Sequence, residues 1–163
     1  MKGKIYLILH NIRSLNNVGS IFRTADAAGV DKIYLTGFTP APFDIFGKLR
    51  NDFKKTALGA EHSVLWEEKP VTTLIAKLKT EKVFIVSVEQ SKKSISYDKF
   101  ISKYKNKLKK YSGTALILGN EVRGISKSIL QKSDAIIEIP MHGHKESLNV
   151  SVAAGVVLFE LKK

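Results

Sequence analysis

The chain contains no cysteine, and this absence removes several classes of protein from consideration. Without thiols it forms neither a disulfide framework nor a thiolate zinc site. It also lacks any run of about 18 apolar residues, which excludes a membrane-spanning helix. The apolar stretch that starts at Ile5 is short, and no small-residue cleavage site follows it. We therefore interpret that stretch as a first strand rather than a signal peptide, and we expect a cytoplasmic protein.

Acidic residues are scarce relative to basic ones. The chain has 15 Asp and Glu against 27 Lys and Arg, which leaves a formal net charge of +12 on 163 residues. Such a surplus favours a polyanionic partner, because neutralising phosphates releases condensed counterions. Lysines outnumber arginines 23 to 4, so a general bias in composition is the alternative explanation. On balance the charge favours a nucleic-acid partner before any motif is considered.

Short apolar runs alternate with helical patterns along the chain. Strands are predicted at Lys4–Leu9, Lys32–Leu35, Ser63–Trp66, Val83–Val88, Thr114–Leu118 and Ala135–Ile139. Helices are predicted at Asn17–Ala28, Val71–Lys79, Ser126–Lys132 and Ser147–Leu161, with a loop and a short helix within 37–52. This alternation predicts one α/β domain over residues 1–163, with a mostly parallel sheet that carries helices on both faces.

Three polar segments lie where predicted strands end or predicted helices begin. The first is NVGSIFRTA at 17–25, the second is LGNEVRG at 118–124, and the third joins IPM at 139–141 to SLNVS at 147–151. Open α/β folds bind ligands where their strands run into loops, so we expect the three segments to form one site. No glycine-rich phosphate loop is present, which argues against an ordinary nucleotide-binding protein.

Each segment also has a purely structural interpretation. Asn17 is a suitable cap for the first predicted helix, which would leave Arg23 as a solvated helix residue. Glu121 can take part in a surface ion pair of small energetic value. Ser147 and Asn149 are suitable caps for the last helix. The functional alternative is that a helix N-terminus, Asn17 and Arg23 together hold an RNA phosphate.

The order and the amino-acid sequences of the three segments resemble those of the SpoU/TrmH branch of the SPOUT RNA methyltransferases. The resemblance extends over nearly the whole chain. The resemblance implies an enzyme that transfers a methyl group from S-adenosyl-L-methionine to a ribose 2′-hydroxyl of transfer or ribosomal RNA. It implies a C-terminal trefoil knot, although general rules make knots rare. It also implies a homodimer with the first and last helices at the interface, where Val152, Val156 and Phe159 supply an apolar face. No separate RNA-binding domain is expected.

The resemblance assigns catalytic roles to five residues. Arg23 matches the essential arginine of the family, and Asn17 supports it. Because a guanidinium keeps its proton, we expect Arg23 to orient the nucleotide and to stabilise the developing 2′-alkoxide. Glu121 is expected close to Arg23, where a carboxylate would fix the fork of the guanidinium. Ser147 and Asn149 are expected to line the catalytic side of the pocket.

The resemblance also assigns a cofactor pocket. Backbone groups in the loops after two strands hold the adenosine of S-adenosylmethionine, at Leu118, Gly119, Ile139, Met141, Leu148 and Asn149. An apolar slot in which backbone amides bind the adenine needs few charged residues. This explains why no glycine-rich dinucleotide-binding motif is found. The alternative from another class is a non-catalytic RNA-binding protein that retains the fold. It predicts RNA binding without methyl transfer.

Two further features are weaker. His142 and His144 form a pair in a loop, but no cysteine or matching carboxylate spacing accompanies them, so no metal site is expected. Residues 99–111 interleave six lysines with Phe100, Tyr104, Leu108 and Tyr111. This pattern fits an RNA-binding surface that uses charge and stacking, and it fits equally an amphipathic helix whose aromatic residues belong to the core. The sequence leaves both interpretations open.

Overall fold

The structure is a computed structural model, and it describes residues 3–162. Seven parallel strands of this part of the chain form one central sheet. The strands are β1 Lys4–His10, β2 Lys32–Thr36, β3 Trp66–Glu68, β4 Val83–Val88, β5 Ile95–Ser96, β6 Gly113–Leu118 and β7 Ala135–Glu138. Their order is β3-β2-β1-β6-β4-β7-β5, and each neighbouring pair is parallel. The three central strands are buried almost throughout, as a parallel sheet covered on both faces requires.

Helices cover both faces of this sheet. They are α1 Leu15–Ala27, α2 Asn51–Ala57, α3 Ala60–Ser63, α4 Val71–Thr80, α5 Phe100–Leu108, α6 Lys127–Leu130 and α7 Val150–Leu161. One core cluster joins Leu7 of β1 to α1, α2 and α7, and a second joins the next residue, Ile8, to α4 and α6. Because neighbouring residues of a strand point to opposite faces, the two clusters are the two sides of the sheet. The predicted architecture is therefore confirmed.

Helix α1 begins two residues before the predicted start. Ser14 is its N-cap, and the Ser14 hydroxyl accepts a hydrogen bond from the backbone N–H of Asn17 at 3.2 Å. The structural alternative, in which Asn17 caps the helix, was wrong, because Ser14 is an equally good cap and takes the position. At the other end Gly29 has φ 62°, and the N–H of Val30 bonds to the carbonyl of Ala25 at 2.9 Å. That arrangement is a Schellman motif, so the glycine predicted to end the helix does so.

The third strand and the last helix also differ from their predicted ranges. Helix α3 takes up residues 60–63, so β3 starts only at Trp66. Helix α7 starts at Val150 because the side chain of Asn149, not that of Ser147, accepts from the N–H of Ser151 at 2.8 Å. Residues 147 and 148 therefore stay outside the helix, in the loop that precedes it.

Within residues 99–111 the helix α5 is amphipathic, and the aromatic side chains of the segment pack against the core. The ring of Phe84 in β4 packs against those of Phe100, Tyr104 and Tyr111, with centroids 5.0 to 6.0 Å apart. Phe84 and Phe100 are fully buried, whereas Tyr104 and Tyr111 are partly buried. The lysines of α5 are exposed, and a contact of this helix with RNA remains a prediction.

No helix within residues 3–162 is both long enough and apolar enough to cross a membrane. The C-terminal trefoil knot remains a prediction of the family resemblance.

Candidate active site

The carboxyl ends of three neighbouring strands, β6, β4 and β7, open into one cleft of about 510 Å³. The loops that follow these strands form its walls, together with the first turn of α7. Seven of the ten residues predicted for the site line this cleft: Leu118, Gly119, Glu121, Ile139, Ser147, Leu148 and Asn149. The fold thus brings together segments that lie far apart in the sequence.

Three predicted residues do not line the cleft. Met141 is partly buried in the loop after β7, and it points to no wall of the cleft. Asn17 and Arg23 lie on α1, and no residue of that helix lines the cleft. The roles of these residues in cofactor binding and catalysis remain predictions.

Gly119 is required by the tight fold of the loop after β6. A Cβ atom at this position would lie 2.5 Å from Cγ1 of Ile125 and 2.8 Å from the carbonyl carbon of Gly124. The loop bends back on itself here, with a bridge between Asn120 and Gly124. Glycine allows this close approach, and the loop then presents Glu121 beside the cleft.

The carboxylate of Glu121 anchors the N-terminus of α1. Oε2 accepts from the N–H of Arg13 at 3.0 Å, and Oε1 accepts from the N–H of Ser14 at 3.3 Å and from Nδ2 of Asn17 at 3.0 Å. Partial burial opposes ionisation of this carboxyl group. The hydrogen bonds from Arg13, Asn17 and Ser14 outweigh that effect, so the pKa of Glu121 is lowered from its ordinary value.

Asn17 extends this arrangement to the last helix. Its Oδ1 accepts from Nδ2 of Asn149 at 3.1 Å, while Oδ1 of Asn149 caps α7 through the N–H of Ser151. The Asn17–Glu121–Asn149 network therefore ties the start of α1, the loop after β6 and the start of α7 to one another. Asn149 thus caps the last helix and also lines the cleft, so both alternatives from the sequence apply to its position. Ser147 is exposed at the wall of the cleft nearby.

Arg23 lies apart from this network. Six residues along a helix correspond to a rotation of about 120° and a rise of about 9 Å, so Arg23 and Asn17 face different directions. Arg23 is exposed, and its side chain forms no hydrogen bond or ion pair with another residue within 3–162. Glu121 and Arg23 form no hydrogen bond or ion pair within this one chain, where the carboxylate of Glu121 accepts the N–H groups at the start of α1. A contact between the two side chains remains a prediction of the family resemblance.

Two site residues that sequence reasoning missed follow β4, the strand between β6 and β7. Oε2 of Glu89 accepts from the N–H of Ile125 at 2.8 Å, and Nε2 of Gln90 donates to the carbonyl of Glu146 at 2.6 Å. Each holds one of the two loops that enclose the cleft. A Cβ at Gly124 would lie 2.2 Å from Oε2 of Glu89, and Gly124 has φ 63°, so glycine is required there. The available signal was a pair of polar residues directly after an apolar strand.

The charges inside the cleft are opposite to those of the protein as a whole. Four carboxylate side chains line it, those of Glu89, Glu121, Glu138 and Glu146. Within the part of the chain that the structure describes, no lysine, arginine or histidine lines the cleft. A chain of net charge +12 thus has a cleft that attracts cations and repels phosphate groups.

His142 and His144 are both exposed in the loop before α7. Residues 3–162 contain no group of three or more His, Cys, Asp or Glu side chains that could hold a metal ion.

The fold and the cleft define an open α/β protein with a ligand site at the carboxyl edge of its parallel sheet. The chain belongs to the SpoU rRNA Methylase family, whose model matches residues 4–159. The family predicted from the three polar segments is therefore confirmed.

The relatives of this chain include RNA 2′-O-methyltransferases. It is 31% identical to a tRNA (guanosine(18)-2′-O)-methyltransferase of Aquifex aeolicus, over 94% of this chain and 66% of that protein. It is 34% identical to the 23S rRNA (guanosine-2′-O-)-methyltransferase RlmB of Escherichia coli, over 94% of this chain and 58% of that protein. An AdoMet-bound rRNA methyltransferase of Sinorhizobium meliloti matches with a TM-score of 0.83 at 28% identity, over 98% of this chain and 56% of that one. The chain thus spans little more than half to about two thirds of the length of these relatives.

Proposed function

We propose that this protein transfers a methyl group from S-adenosylmethionine to a ribose 2′-hydroxyl of transfer or ribosomal RNA. The observation that carries the proposal is the Asn17–Glu121–Asn149 network beside a cleft whose lining is negatively charged. The names of the relatives support the same reaction. The cytoplasm is the location that fits these substrates.

The residues of the cleft suit S-adenosylmethionine. Apolar side chains at Leu118, Ile139 and Leu148 form a slot for an adenine, and the volume of about 510 Å³ falls within the range for small-ligand pockets. The glutamates suit a cofactor with a positive sulfonium and a positive ammonium group. A nucleotide with a phosphate chain suits this cleft poorly. When bound, S-adenosylmethionine supplies an electrophilic methyl group, so the protein acts mainly by placing the 2′-oxygen in line with it.

We also propose that Arg23 acts at the cleft of a second subunit. Arg23 does not line the cleft of its own chain, and it lies on α1, which packs against α7. The outer side of α7 exposes Val152 and Phe159, each with about half of its surface accessible (50% and 53%). A homodimer that buries these side chains would cover an apolar surface and carry Arg23 to the partner subunit. Arg23 would there hold the phosphate of the target nucleotide and stabilise the developing 2′-alkoxide.

Calorimetry with S-adenosylhomocysteine should detect one binding site per chain. ATP is the matched control, because it carries the same adenosine with a negatively charged phosphate chain, and the glutamate-lined cleft should not bind it. If the folded protein binds no S-adenosylhomocysteine at millimolar concentration, the enzyme hypothesis fails. The protein would then be a non-catalytic RNA-binding member of its family, which binds RNA without transferring a methyl group.

The affinity for RNA should fall steeply with salt, with the logarithm of the association constant declining linearly in the logarithm of the salt concentration. Replacing Lys107, Lys109 and Lys110 together by glutamine should flatten this slope if the end of α5 contacts phosphates. The control replaces Lys54, Lys77 and Lys79 by glutamine. These lysines are also exposed, so the control removes the same charge from another part of the surface.

Melting temperatures should accompany these measurements, because the ammonium group of Lys107 lies 5.2 Å from the centre of the Phe84 ring and contributes to packing. If both triple variants have the same slope, the lysines of α5 serve only as general surface charge.

A further inference from the structure

A second, smaller cleft adjoins the first one. Its volume is about 170 Å³, and it lies at the carboxyl ends of β1 and β2. Asn120 and Gly124 line both clefts, so the loop after β6 is a wall that they share. The remaining lining residues are His10, Asn11, Phe38, Arg123 and Ser126. None of these side chains has a role in the function proposed above.

The carboxamide of Asn11 is held in one orientation at this small cleft. Its Oδ1 lies 3.2 Å from the backbone nitrogen of Phe38, which can only donate. Nδ2 therefore faces Nε2 of His10, at 3.1 Å, and donates one of its two protons there. The other proton has no protein acceptor within residues 3–162. Asn11 also has φ 60°, a strained conformation that asparagine tolerates and that is frequent at functional sites.

His10 supports Asn11 and does not itself supply a charge. Its Nδ1 lies 2.8 Å from the hydroxyl of Thr36, so both ring nitrogens are engaged. Burial lowers the pKa of His10, which favours the neutral ring. The neutral form with a proton on Nδ1 satisfies both contacts, because Nε2 then accepts from Asn11. The ring thereby fixes an amide donor at the cleft.

The other side chains of the small cleft are suited to a nucleotide. Phe38 is 60% exposed, so its ring offers a face on which a base can stack. Arg123 is exposed, and its guanidinium has no protein partner in the part of the chain that the structure describes. Whereas four glutamates line the large cleft, no acidic side chain within residues 3–162 lines the small one. The large cleft therefore favours a cation and the small cleft favours an anion.

We propose that the small cleft binds the base of the RNA nucleotide that is methylated, an inference that rests on the function proposed above. Phe38 stacks on the base, the free N–H of Asn11 donates to an acceptor on the base edge, and Arg123 holds an adjoining phosphate. In this arrangement the ribose lies on the loop after β6, which both clefts share, and the base lies in the small cleft. Its 2′-oxygen then lies on the side of Glu121 and the large cleft.

Mononucleotides test the subsite directly. The protein, labelled with nitrogen-15 and saturated with S-adenosylhomocysteine, is titrated with AMP, GMP, CMP and UMP at millimolar concentration. At least one of them should shift the side-chain amide signal of Asn11 and the Nε signal of Arg123. Phe38→Ala should remove these shifts, whereas Phe46→Ala should keep them. Phe46 is the matched control, because it is 87% exposed in the same loop and does not line the cleft.

Steady-state kinetics test the role of the subsite in the reaction. Phe38→Ala, Arg123→Gln and Asn11→Gly should each raise KM for RNA about 10-fold or more, because stacking and phosphate contacts contribute to holding the nucleotide. The affinity for S-adenosylhomocysteine should not change. Lys127→Gln removes one exposed charge outside both clefts, so it should leave KM near the value of the unmodified protein. RNA from a strain that lacks the gene serves as substrate, with mass spectrometry to name the methylated nucleoside.

The two proposals fail in different ways. If the unmodified protein methylates no RNA, the proposed function fails, and the titration with mononucleotides still decides whether the subsite exists. If the unmodified protein methylates RNA and all three variants match Lys127→Gln, the subsite proposal alone is overturned. Mononucleotide shifts that are absent, or that are confined to the large cleft, also overturn it.

Discussion

Alanine in place of Arg23 should lower the rate of methyl transfer by about two to three orders of magnitude or more, the scale found when a donor to a developing oxyanion is removed. Folding and the affinity for S-adenosylhomocysteine should remain unchanged, because Arg23 is exposed and does not line the cleft of its own chain. Single-turnover rates at saturating RNA, together with melting temperatures, measure these effects separately.

Arg23→Lys should restore little of the lost rate. An ammonium group lacks the planar, two-pronged donor set of a guanidinium, which suits a phosphate and an adjacent oxyanion together. If Arg23→Ala transferred the methyl group at a near-normal rate, the assignment of the catalytic arginine would be wrong. Arg13 and Arg123 would then be the next candidates.

Mixed dimers test whether Arg23 acts across subunits. A protomer with Arg23→Ala is combined with one that carries Glu121→Ala, after each variant alone has been shown to transfer the methyl group much more slowly than the unmodified protein. If Arg23 reaches the partner subunit, one cleft of the mixed dimer has both an intact Glu121 and an intact arginine, and activity returns. If Arg23 acts within its own chain, neither cleft is complete and the mixture stays inactive.

Glutamine in place of Glu121 should slow methyl transfer by about 10-fold or more and lower stability at neutral pH. The carboxylate accepts from two backbone N–H groups and from Asn17, and a carboxamide would turn a donor toward at least one of them. We expect a loss of about 1 kcal/mol, because hydrogen bonds to a charged group are strong but exposure to solvent weakens them. The slower transfer follows from the loosened Asn17–Glu121–Asn149 network.

The stability effect of Glu121→Gln should depend on pH with a definite sign. The pKa of Glu121 is lowered in the folded protein, so the carboxylate stabilises the fold above the pKa of the unfolded chain. This stabilisation is lost as the pH falls through the lowered pKa of the folded state. The difference in melting temperature should therefore be large at pH 7 and shrink in acid. Glu68→Gln, an exposed glutamate outside the cleft, controls for the change in charge, and an equal shift in both variants would refute the anchoring role.

Much of the fold follows from local patterns in the sequence. Short continuous apolar runs such as Val83–Val88 favour central strands, and their alternation with helical patterns predicts a parallel sheet. The two-residue strand β5 and the four-residue helix α3 are too short to produce a periodic pattern. Threading of the chain through itself leaves no local pattern either, so the knot depends on the family resemblance alone.

The sequence predicts which segments form the candidate site, but it does not predict the hydrogen bonds between their side chains. Ser14 and Asn17 have similar preferences for a helix cap, and only the folded chain decides between them. The bond from Asn17 to Glu121 joins residues 104 positions apart, so no spacing in the sequence reveals it. Glu89 was not predicted as a site residue. Its role depends on the hydrogen bond that it accepts from the N–H of Ile125, and nothing in the sequence indicates that partner.

The opposite charges of the large cleft and of the surrounding protein have a consequence for turnover. If the protein has the proposed function, its exposed lysines attract RNA to the surface, while the glutamates inside the large cleft repel the phosphates of that RNA. We therefore expect RNA and S-adenosylmethionine to approach by separate routes, because their charges are opposite. Excess RNA should not act as a competitive inhibitor toward S-adenosylmethionine. We also expect S-adenosylhomocysteine to exchange for fresh S-adenosylmethionine while RNA stays bound at the rim of the cleft.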